Sequence, residues 1–363
     1  MINNKTIAVV VPCYNEESQI GMVIESMPDY VDRIVVVNDN STDKTATVVK
    51  KLIASERFNS TTDVFKNKII PNLYNKAEQV LEKVNLEEIT FYTKQEIHKT
   101  NIKSKIVLIK HQENGGVGAA ISSGYKWCKD HNIACTAVMA GDGQMDPAEL
   151  QSICEPIVNE HLDYVKGNRL IHRSALLVIP KIRYLGNSIL SILTKLASGY
   201  WHISDTQTGF TAISNKALNA IRIHKIYKSY GMPNDLLVKL NIAFCSIREV
   251  EIKPIYNVGE QSKMKILKVI PTVSWLLIKS FFKRLWIKYL FRDFHPLFLL
   301  YNASFLLGFG SILYGYKIIN HMVENQPLNQ LTILAFIFLF ISGFQSFLFA
   351  MWMDIQDNER LLK

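Results

Sequence analysis

The chain has 363 residues, and its 41 Lys and Arg against 32 Asp and Glu give a formal net charge of +9 at pH 7. This length allows two average domains, or one large domain with additions. The excess of positive charge is modest and part of it lies in one cluster near the C-terminus, and no recognisable nucleic-acid-binding module accompanies it. We therefore expect no nucleic-acid partner.

Four short apolar runs, separated by helical stretches, predict an α/β fold with an open, doubly wound sheet. The runs begin at Ile7, Ile34, Ile106 and Ala137. Polar residues follow each run directly. In sheets of this kind, ligands bind in a crevice outside the carboxyl ends of the strands. The sequence therefore predicts a binding crevice along one edge of the sheet.

The first three runs lead into polar or glycine-rich clusters that supply candidate binding residues. These residues are Pro12, Tyr14, Asn15, Glu16, Asp39, Asn114 and Gly116. A carboxylate such as that of Asp39 can accept hydrogen bonds from a ring N–H and from a hydroxyl. Glycines at the start of a helix let the backbone approach a ligand, and the helix N-terminus favours negative charge. A dinucleotide fingerprint is the weaker interpretation, because the glycines follow the third run and not the first.

The fourth run ends at Asp142, in the stretch Gly141-Asp142-Gly143-Gln144. Hard cations such as Mg²⁺ and Mn²⁺ bind through one or two carboxylates together with substrate phosphates. Asp142 and Gln144 are therefore the predicted ligands of Mg²⁺ or Mn²⁺. A solvated turn is the alternative for this stretch taken alone.

Six stretches carry a family resemblance when they are taken together and in order. They are residues 12–17, 37–43, 114–120, 141–144, 166–169 and 205–210. In this combination the chain resembles the family 2 inverting glycosyltransferases, and specifically the polyprenyl-phosphate hexosyltransferases typified by dolichyl-phosphate mannose and glucose synthases. The resemblance covers roughly residues 5 to 265. It implies a GT-A fold in a catalytic domain of residues 1–265.

The resemblance also implies a reaction and a role for each cluster. A hexose would pass from a UDP- or GDP-sugar to a polyprenyl phosphate, undecaprenyl or dolichyl, with inversion. The first three clusters and Asp142 would bind the nucleotide. Because the acceptor phosphate is already an anion, it needs cations to hold it more than it needs a base. The acceptor residues would be Arg169, Arg183, Ser262 and Lys263.

Three carboxylates are catalytic candidates, namely Asp142, Asp205 and Asp235. For Asp205 and Asp235, a role in orienting the acceptor and a structural role as a helix cap both stay open. The sequence departs from the family at Ala140, where the usual metal motif has a first acidic residue. The loss of one ligand should weaken the metal site and not abolish it, since waters and phosphates can complete the coordination. Asp146 is an alternative ligand.

Residues 57–105 do not fit the family pattern, which passes from the second helix to the third strand through a short loop. A lid over the site and a passive surface insertion are both open, and the passive insertion is the default.

The C-terminal third is predicted to bind a membrane. Residues 266–294 mix Lys and Arg with aromatic residues at helical spacing, which favours an amphipathic helix lying in the membrane interface with its cations toward the headgroups. A packed surface helix is the alternative. Residues 296–319 and 330–353 are apolar and long enough to cross a hydrocarbon core of about 30 Å, and two buried core helices are the alternative.

The distribution of charge predicts the orientation of these spans. The basic cluster precedes the first span, whereas the connecting loop 321–329 has no Lys or Arg, and basic loops stay in the cytoplasm. We therefore expect a multi-pass protein of the inner cell membrane, with the catalytic domain and a short C-terminal tail in the cytoplasm. Association with a second copy of the chain stays open.

Two other functions compete with hexosyl transfer to a lipid. A processive polysaccharide synthase is disfavoured, because the Gln-x-x-Arg-Trp motif of those enzymes is absent from the sequence and two spans are few for a secretion channel. A catalytically impaired membrane scaffold that retains the fold would explain Ala140.

Overall fold

A computed structural model describes residues 1–55, 62, 64, 69–98, 104–255 and 266–363. Its described residues form one eight-stranded sheet in the order β3-β4-β2-β1-β5-β7-β6-β8. The strands are β1 Ile7–Cys13, β2 Arg33–Asn38, β3 Gln95–Ile97, β4 Ile106–His111, β5 Cys135–Val138, β6 Tyr164–Asn168, β7 Thr211–Ser214 and β8 Ile247–Glu251.

The direction of the strands places the predicted clusters on one edge of the sheet. Strands β4, β2, β1 and β5 are mutually parallel, as the apolar runs predict. Strand β7 is antiparallel to both of its neighbours, β5 and β6. Because two successive antiparallel pairings restore the direction, β6 runs with β5. Strand β8 is parallel to β6, so the carboxyl ends of all six parallel strands meet at the same edge.

Helices cover both faces of the sheet, and further helices follow it. They are α1 Ile20–Glu25, α2 Thr45–Ala54, α3 Lys76–Glu87, α4 Val117–Asp130, α5 Leu150–Glu160, α6 Ala175–Val178, α7 Lys181–Ser198, α8 Asn215–Ala220, α9 Met232–Ile242, α10 Ile266–Trp286, α11 Pro296–Val323 and α12 Gln330–Glu359. Side chains of a strand alternate between the two faces. Val10 accordingly packs in the core beside α4 and α9, while Val9 packs in the core beside α1 and α5.

The described part of the predicted insertion 57–105 adds an edge strand and an exposed helix. Strand β3 pairs antiparallel with β4, and α3 has no buried residue. The segment that joins them contacts the catalytic part, since the ring of Phe91 stacks on His224 at 5.3 Å between centroids. The described part of the insertion therefore packs on the edge of the sheet and beside His224.

Helices α11 and α12 form a hairpin of two helices long and apolar enough to cross a membrane. They end at Val323 and Glu359, beyond the predicted ends at residues 319 and 353. Small residues let the two helices approach closely, because a Cβ at Gly343 would lie 3.2 Å from the backbone nitrogen of Gly308. Such close packing of small residues is typical of helices that pair in lipid.

Helix α10 has two different faces. One face packs against α7, α9 and the hairpin through residues such as Leu277 and Phe281. The other face exposes apolar side chains, including Trp275 and Trp286. The predicted orientation of the cations is wrong for two of them. Arg284 and Lys288 are buried inside the protein, because carboxylates and amides of α12 and α9 surround them.

The C-terminal residues contact the catalytic sheet. The backbone N–H of Ile247 in β8 donates to the carbonyl of Leu361 at 2.8 Å, and that of Lys363 donates to the carbonyl of Ile247 at 3.2 Å. The side chain of Leu361 is buried in the core beside α4 and α9. The end of the chain is therefore docked on the edge of the catalytic sheet.

Candidate functional site at the carboxyl edge of the sheet

The loops after β1 and β2 are tied together by hydrogen bonds. Asn15 has a positive φ of 56°, which asparagine tolerates better than most residues. Its backbone N–H donates to Ser41 Oγ at 3.0 Å, and its side-chain Oδ1 accepts from the Thr42 N–H at 2.8 Å. The backbone N–H of Glu16 donates to Thr45 Oγ1 at 2.9 Å. The half-buried side chains of Tyr14 and Glu16 are thus held on a rigid platform.

Asp39 is buried at the end of β2, and the glycine turn before α4 surrounds its carboxylate. The backbone N–H groups of Gly115 and Gly116 donate to its two oxygens, each at 2.8 Å. The N-terminus of a helix favours an anion, and Asp39 supplies one from within the chain. The structure therefore brings Asp39, Asn114 and Gly116 together, as predicted, and gives the Asp39 carboxylate a structural task there.

His111 is a residue of this site that the sequence analysis missed. It is fully buried at the end of β4. Its Nδ1 lies 2.6 Å from Asp39 Oδ1, and its Nε2 lies 2.9 Å from Ser123 Oγ in α4. This chain of contacts fixes the Asp39 carboxylate against α4. The available signal was a histidine two residues beyond the apolar run 106–109, a place where the second run has Asp39 two residues beyond Val37.

The glycines of the turn before α4 approach the protein's own backbone closely. The N–H of Gly118 donates to the carbonyl of Lys228 at 2.9 Å. A Cβ at Gly118 would overlap the carbonyl oxygen of Tyr227, and one at Gly116 would lie 2.5 Å from the carbonyl oxygen of Lys228. These glycines therefore make room for the segment that contains Tyr227 and Lys228.

Asp142 lies in a tight turn beside the end of β1. The N–H of Gly141 donates to the carbonyl of Pro12 at 3.3 Å, and the N–H of Gln144 donates to Asp142 Oδ1 at 3.0 Å. Gly143 has a positive φ of 76°, which glycine adopts without strain. The half-buried carboxylate of Asp142 is thus oriented at the crevice, next to the platform after β1.

Asp146 does not supply a second carboxylate beside Asp142 for a metal ion in this structure. Its Oδ1 accepts from the N–H of Ala148 at 2.9 Å, as a helix cap, and its Oδ2 lies 3.7 Å from Lys253 Nζ. Within the described ranges, no three His, Cys, Asp or Glu side chains converge into a metal-binding group. A Mg²⁺ or Mn²⁺ ion held by Asp142 fits this set of ligands if phosphate oxygens and waters supply most of its coordination.

Arg169 and Asp205 form a two-point ion pair at the end of β6. Arg169 Nε and Nη2 donate to the two Asp205 oxygens at 2.8 and 3.1 Å, and the Arg169 N–H donates at 3.1 Å. Burial would raise the pKa of the Asp205 carboxyl, but the adjacent Arg169 guanidinium outweighs burial and lowers it. The Asp205 side chain is fully buried, while that of Arg169 is 23% exposed. Asp205 therefore anchors an arginine that reaches the crevice.

A buried lysine and a half-buried glutamate hold the Asp205 loop. Lys166 Nζ donates to the carbonyl of Thr208 at 2.5 Å, and burial lowers the pKa of this lysine to about 8. Glu249 Oε1 accepts from the N–H groups of Ser204 and Asp205, each at 2.9 Å. The sequence analysis missed Glu249, since nothing in β8 marks it.

The other predicted acceptor residues and Asp235 lie elsewhere or outside the described part. Asp235 Oδ2 accepts from the N–H of Tyr227 at 2.8 Å and pairs with Lys239. These contacts fix the segment that covers the glycine turn. Arg183 lies in the first turn of α7, but its side chain is outside the described part, as are Ser262 and Lys263 entirely.

The two halves of the site lie along the same edge. Asp142 follows β5 and Arg169 follows β6, with β7 between these strands. Neighbouring strands are about 4.8 Å apart, so the two strand ends are separated by about 10 Å. The Asp142 turn and the Arg169–Asp205 pair therefore lie along one edge of the sheet, on either side of β7.

The sequence matches the family described as Glycosyl transferase family 2 over residues 8–68 and 92–222, which is more than half of the chain. The chain belongs to glycosyl transferase family 2. It is a glycosyltransferase with the α/β GT-A fold. The matched residues leave out 69–91, within the predicted insertion.

Two relatives support the resemblance to the polyprenyl-phosphate branch of glycosyl transferase family 2. A UDP-N-acetylglucosamine–dolichyl-phosphate N-acetylglucosaminyltransferase of Methanococcus voltae is 27% identical over 255 residues, which are 70% of this chain and 87% of that protein. A dolichyl-phosphate beta-glucosyltransferase of Trichomonas vaginalis is 24% identical over 295 residues, which are 77% of this chain and 74% of that protein. The resemblance to this branch is therefore confirmed.

The chain is also similar to a solved structure. Glucosyl-3-phosphoglycerate synthase from Mycobacterium tuberculosis, in complex with Mn²⁺, UDP and glucosyl-3-phosphoglycerate, has 16% identity and a TM-score of 0.47. The match covers 77% of this chain and 80% of that one.

Proposed function

We propose that this chain transfers a hexose or N-acetylhexosamine from a nucleoside diphosphate to a polyprenyl phosphate, with inversion, at the cytoplasmic face of a membrane. One observation carries the proposal. Two relatives named for dolichyl-phosphate sugar transfer match most of the chain, while the same chain carries a hairpin of membrane-spanning length joined to its catalytic sheet.

The donor would lie across the carboxyl ends of β1, β2, β4 and β5. Tyr14 and Glu16 stand on the platform after β1, and Asp39 stabilises the turn that borders it. A nucleoside has ring N–H and hydroxyl donors, which the carboxylates and amides of this region can accept. Uridine and guanosine both present such donors, so UDP- and GDP-sugars are both candidate donors.

Asp142, with Gln144 beside it, would hold Mg²⁺ or Mn²⁺ on the diphosphate. A bound divalent cation stabilises the negative charge that collects on a departing nucleoside diphosphate. The turn at Gly141 and Gly143 holds the Asp142 carboxylate beside the end of β1, so its position does not depend on the substrate. Ala140 leaves this site with fewer protein ligands than is usual in the family, which predicts a weak affinity for the free ion.

Arg169 would bind the acceptor phosphate. The Asp205 carboxylate fixes Nε and Nη2 of its guanidinium, and an arginine held in this way is a preorganised anion site. A phosphate oxygen of the lipid would attack the anomeric carbon from the face opposite the nucleotide. The bond to the nucleoside diphosphate breaks as the new bond forms, and the nucleotide leaves with the electron pair. One displacement inverts the configuration.

The membrane region would bring the lipid to this edge. Helices α11 and α12 have mean hydropathies of 1.6 and 2.2, and α10 exposes tryptophans beside them. The docked C-terminus places both ends of the hairpin on the side of the catalytic sheet. Because the basic residues precede the first span, that side would be the cytoplasm.

A transfer assay with the full-length protein in detergent tests the proposal. The assay offers labelled UDP-N-acetylglucosamine, UDP-glucose or GDP-mannose with Mn²⁺ and a polyprenyl phosphate. We expect one donor to yield an acid-labile glycolipid. A catalytically impaired scaffold, which Ala140 favours, would bind a nucleotide, and this binding would raise the melting temperature of the protein. It would yield no product from any donor.

A further inference from the structure

A buried ion pair joins the membrane hairpin to the helix that precedes it. The side chains of Arg284 in α10 and Asp354 in α12 are 1% and 0% exposed. Nη1 and Nη2 of the arginine donate to the two carboxylate oxygens, each at 2.7 Å. Burial of two charges costs much of the energy that their attraction supplies, so such a pair adds little net stability. Its main consequence is a fixed geometry between the two helices.

The same guanidinium also holds the end of α7 in the catalytic domain. Arg284 Nε donates to the carbonyl of Ala197 at 3.0 Å, and Nη2 donates to that of Leu196 at 3.1 Å. These carbonyls belong to the last turn of α7, where the helix itself offers them no donor. A Cβ at Gly199, just beyond the helix, would overlap the guanidinium. From Gly199 the chain runs directly to Asp205.

A second route connects the hairpin to the same loop. The side-chain Oδ1 of Asn358 in α12 accepts from Lys288 Nζ at 2.5 Å and from Asn241 Nδ2 at 2.7 Å. Asn241 lies near the end of α9. Near the beginning of α9, Asn234 Oδ1 accepts from Gln207 Nε2 at 3.0 Å. The hairpin is therefore linked to both sides of the loop that contains Asp205.

We propose that Arg284 and Asp354 are positioning residues for glycosyl transfer. They hold the membrane hairpin against the end of α7 and so fix where the Asp205–Arg169 pair lies relative to the donor sugar. The inference rests on the proposed role of Arg169 at the acceptor phosphate. Neither Arg284 nor Asp354 touches a substrate; they act through α7 and the loop that follows it.

The central variant is Arg284→Lys in the full-length protein. Lysine keeps the charge, but its three donors on one nitrogen cannot reproduce the two-point contact with the Asp354 carboxylate together with both carbonyl contacts. Transfer is measured with a long-chain polyprenyl phosphate and with a short, water-soluble prenyl phosphate. Because a displacement of about 1 Å at a reacting group costs about 10²-fold in rate, we expect kcat to fall at least about tenfold with both acceptors, with the donor KM within about twofold of wild type.

Asp354→Asn tests the same link from the other side, since it leaves the contacts between Arg284 and α7 in place but weakens the link to the hairpin. It should lower kcat in the same way. Glu160→Gln is the matched control, because it removes the exposed ion pair between Arg248 and Glu160. Its kcat and donor KM should stay at wild-type values.

Three results would overturn the inference. The first is an unchanged kcat in both variants at Arg284 and Asp354. The second is a loss with the long-chain acceptor alone, which would mean that the hairpin only holds lipid. The third is a parallel loss of kcat, donor affinity and melting temperature, which would mean a purely structural role. Absence of transfer by the wild-type protein to either acceptor would instead refute the proposed function itself.

Discussion

Replacement of Asp205 by asparagine tests the assignment of Arg169 to the acceptor. The substitution keeps the shape of the side chain but removes the negative charge of the carboxylate. That carboxylate accepts hydrogen bonds from Nε, Nη2 and the backbone N–H of Arg169. Removal of one partner from a buried ion pair typically costs about 3 to 5 kcal/mol. Because the Arg169 side chain is 23% exposed, water can solvate part of its charge, and we expect about 2 to 3 kcal/mol of lost folding stability.

The effect of Asp205→Asn on transfer should exceed its effect on donor binding. An Arg169 that is no longer held can move by about 1 Å or more, which corresponds to about 10²-fold in rate. Steady-state kinetics with saturating donor and varied polyprenyl phosphate measures this loss, and a nucleotide titration measures donor affinity. We expect kcat/KM for the lipid to fall about 100-fold, with nucleotide affinity unchanged within about threefold.

Asp163→Asn is the matched control for Asp205→Asn. Asp163 is buried at the opposite end of β6, where its Oδ2 accepts from the N–H of Ser246 at 2.9 Å and its Oδ1 lies 3.2 Å from Lys216 Nζ. Its loss should lower stability and leave kcat/KM intact in the folded fraction. Equal losses of lipid kcat/KM in the two variants, or none in Asp205→Asn, would refute the assignment of Arg169 to the acceptor.

Three further predictions concern the metal site and a buried lysine. Asp142→Asn should lower transfer about 10²-fold or more at saturating Mn²⁺, and turnover within about threefold of wild type would remove Asp142 from the metal site. Ala140→Asp should lower the Mn²⁺ concentration for half-maximal rate, whereas an unchanged requirement would mean that another group completes the coordination. Because the pKa of Lys166 is lowered to about 8, the unfolded chain binds more protons between about pH 8 and 10.4. The stability of wild type relative to Lys166→Met should therefore rise by up to about 3 kcal/mol across that window, and denaturant unfolding at pH 7.5 and 10 would contradict this if the difference stayed constant.

The parallel core of the sheet could be predicted because its signal is local. Residues 7–11, 34–37 and 106–109 are β-branched or aliphatic without interruption, and each is buried on both faces in the structure. Such runs form central strands of parallel sheets whatever surrounds them. The polar clusters at their ends could be placed on one edge for the same reason. The antiparallel strand β7 could not, since Thr211–Ser214 is short and has no turn signal to fix its direction.

The partners of buried charges could not be predicted, because they come from distant parts of the chain. Arg284 is one of several cations in a basic helix, and nothing near it in sequence predicts its pairing with Asp354. Asp39 is similar. Its position in a polar cluster just after an apolar run is local information, but the two backbone N–H groups that it accepts from belong to the turn at Gly115 and Gly116.

The coupling of nucleotide release to lipid glycosylation is the most direct test of inverting sugar transfer to a polyprenyl phosphate. The full-length protein, its donor, Mn²⁺ and a polyprenyl phosphate are combined, and nucleoside diphosphate and glycosylated lipid are quantified in the same sample. We expect one glycosyl-phosphoryl-polyprenol for each nucleoside diphosphate released, and its anomeric configuration should be opposite to that of the donor. Release of the nucleoside diphosphate should fall at least tenfold when the lipid is omitted. Nucleoside diphosphate released at the same rate without the lipid, or a product that lacks the sugar–phosphate bond, would contradict it.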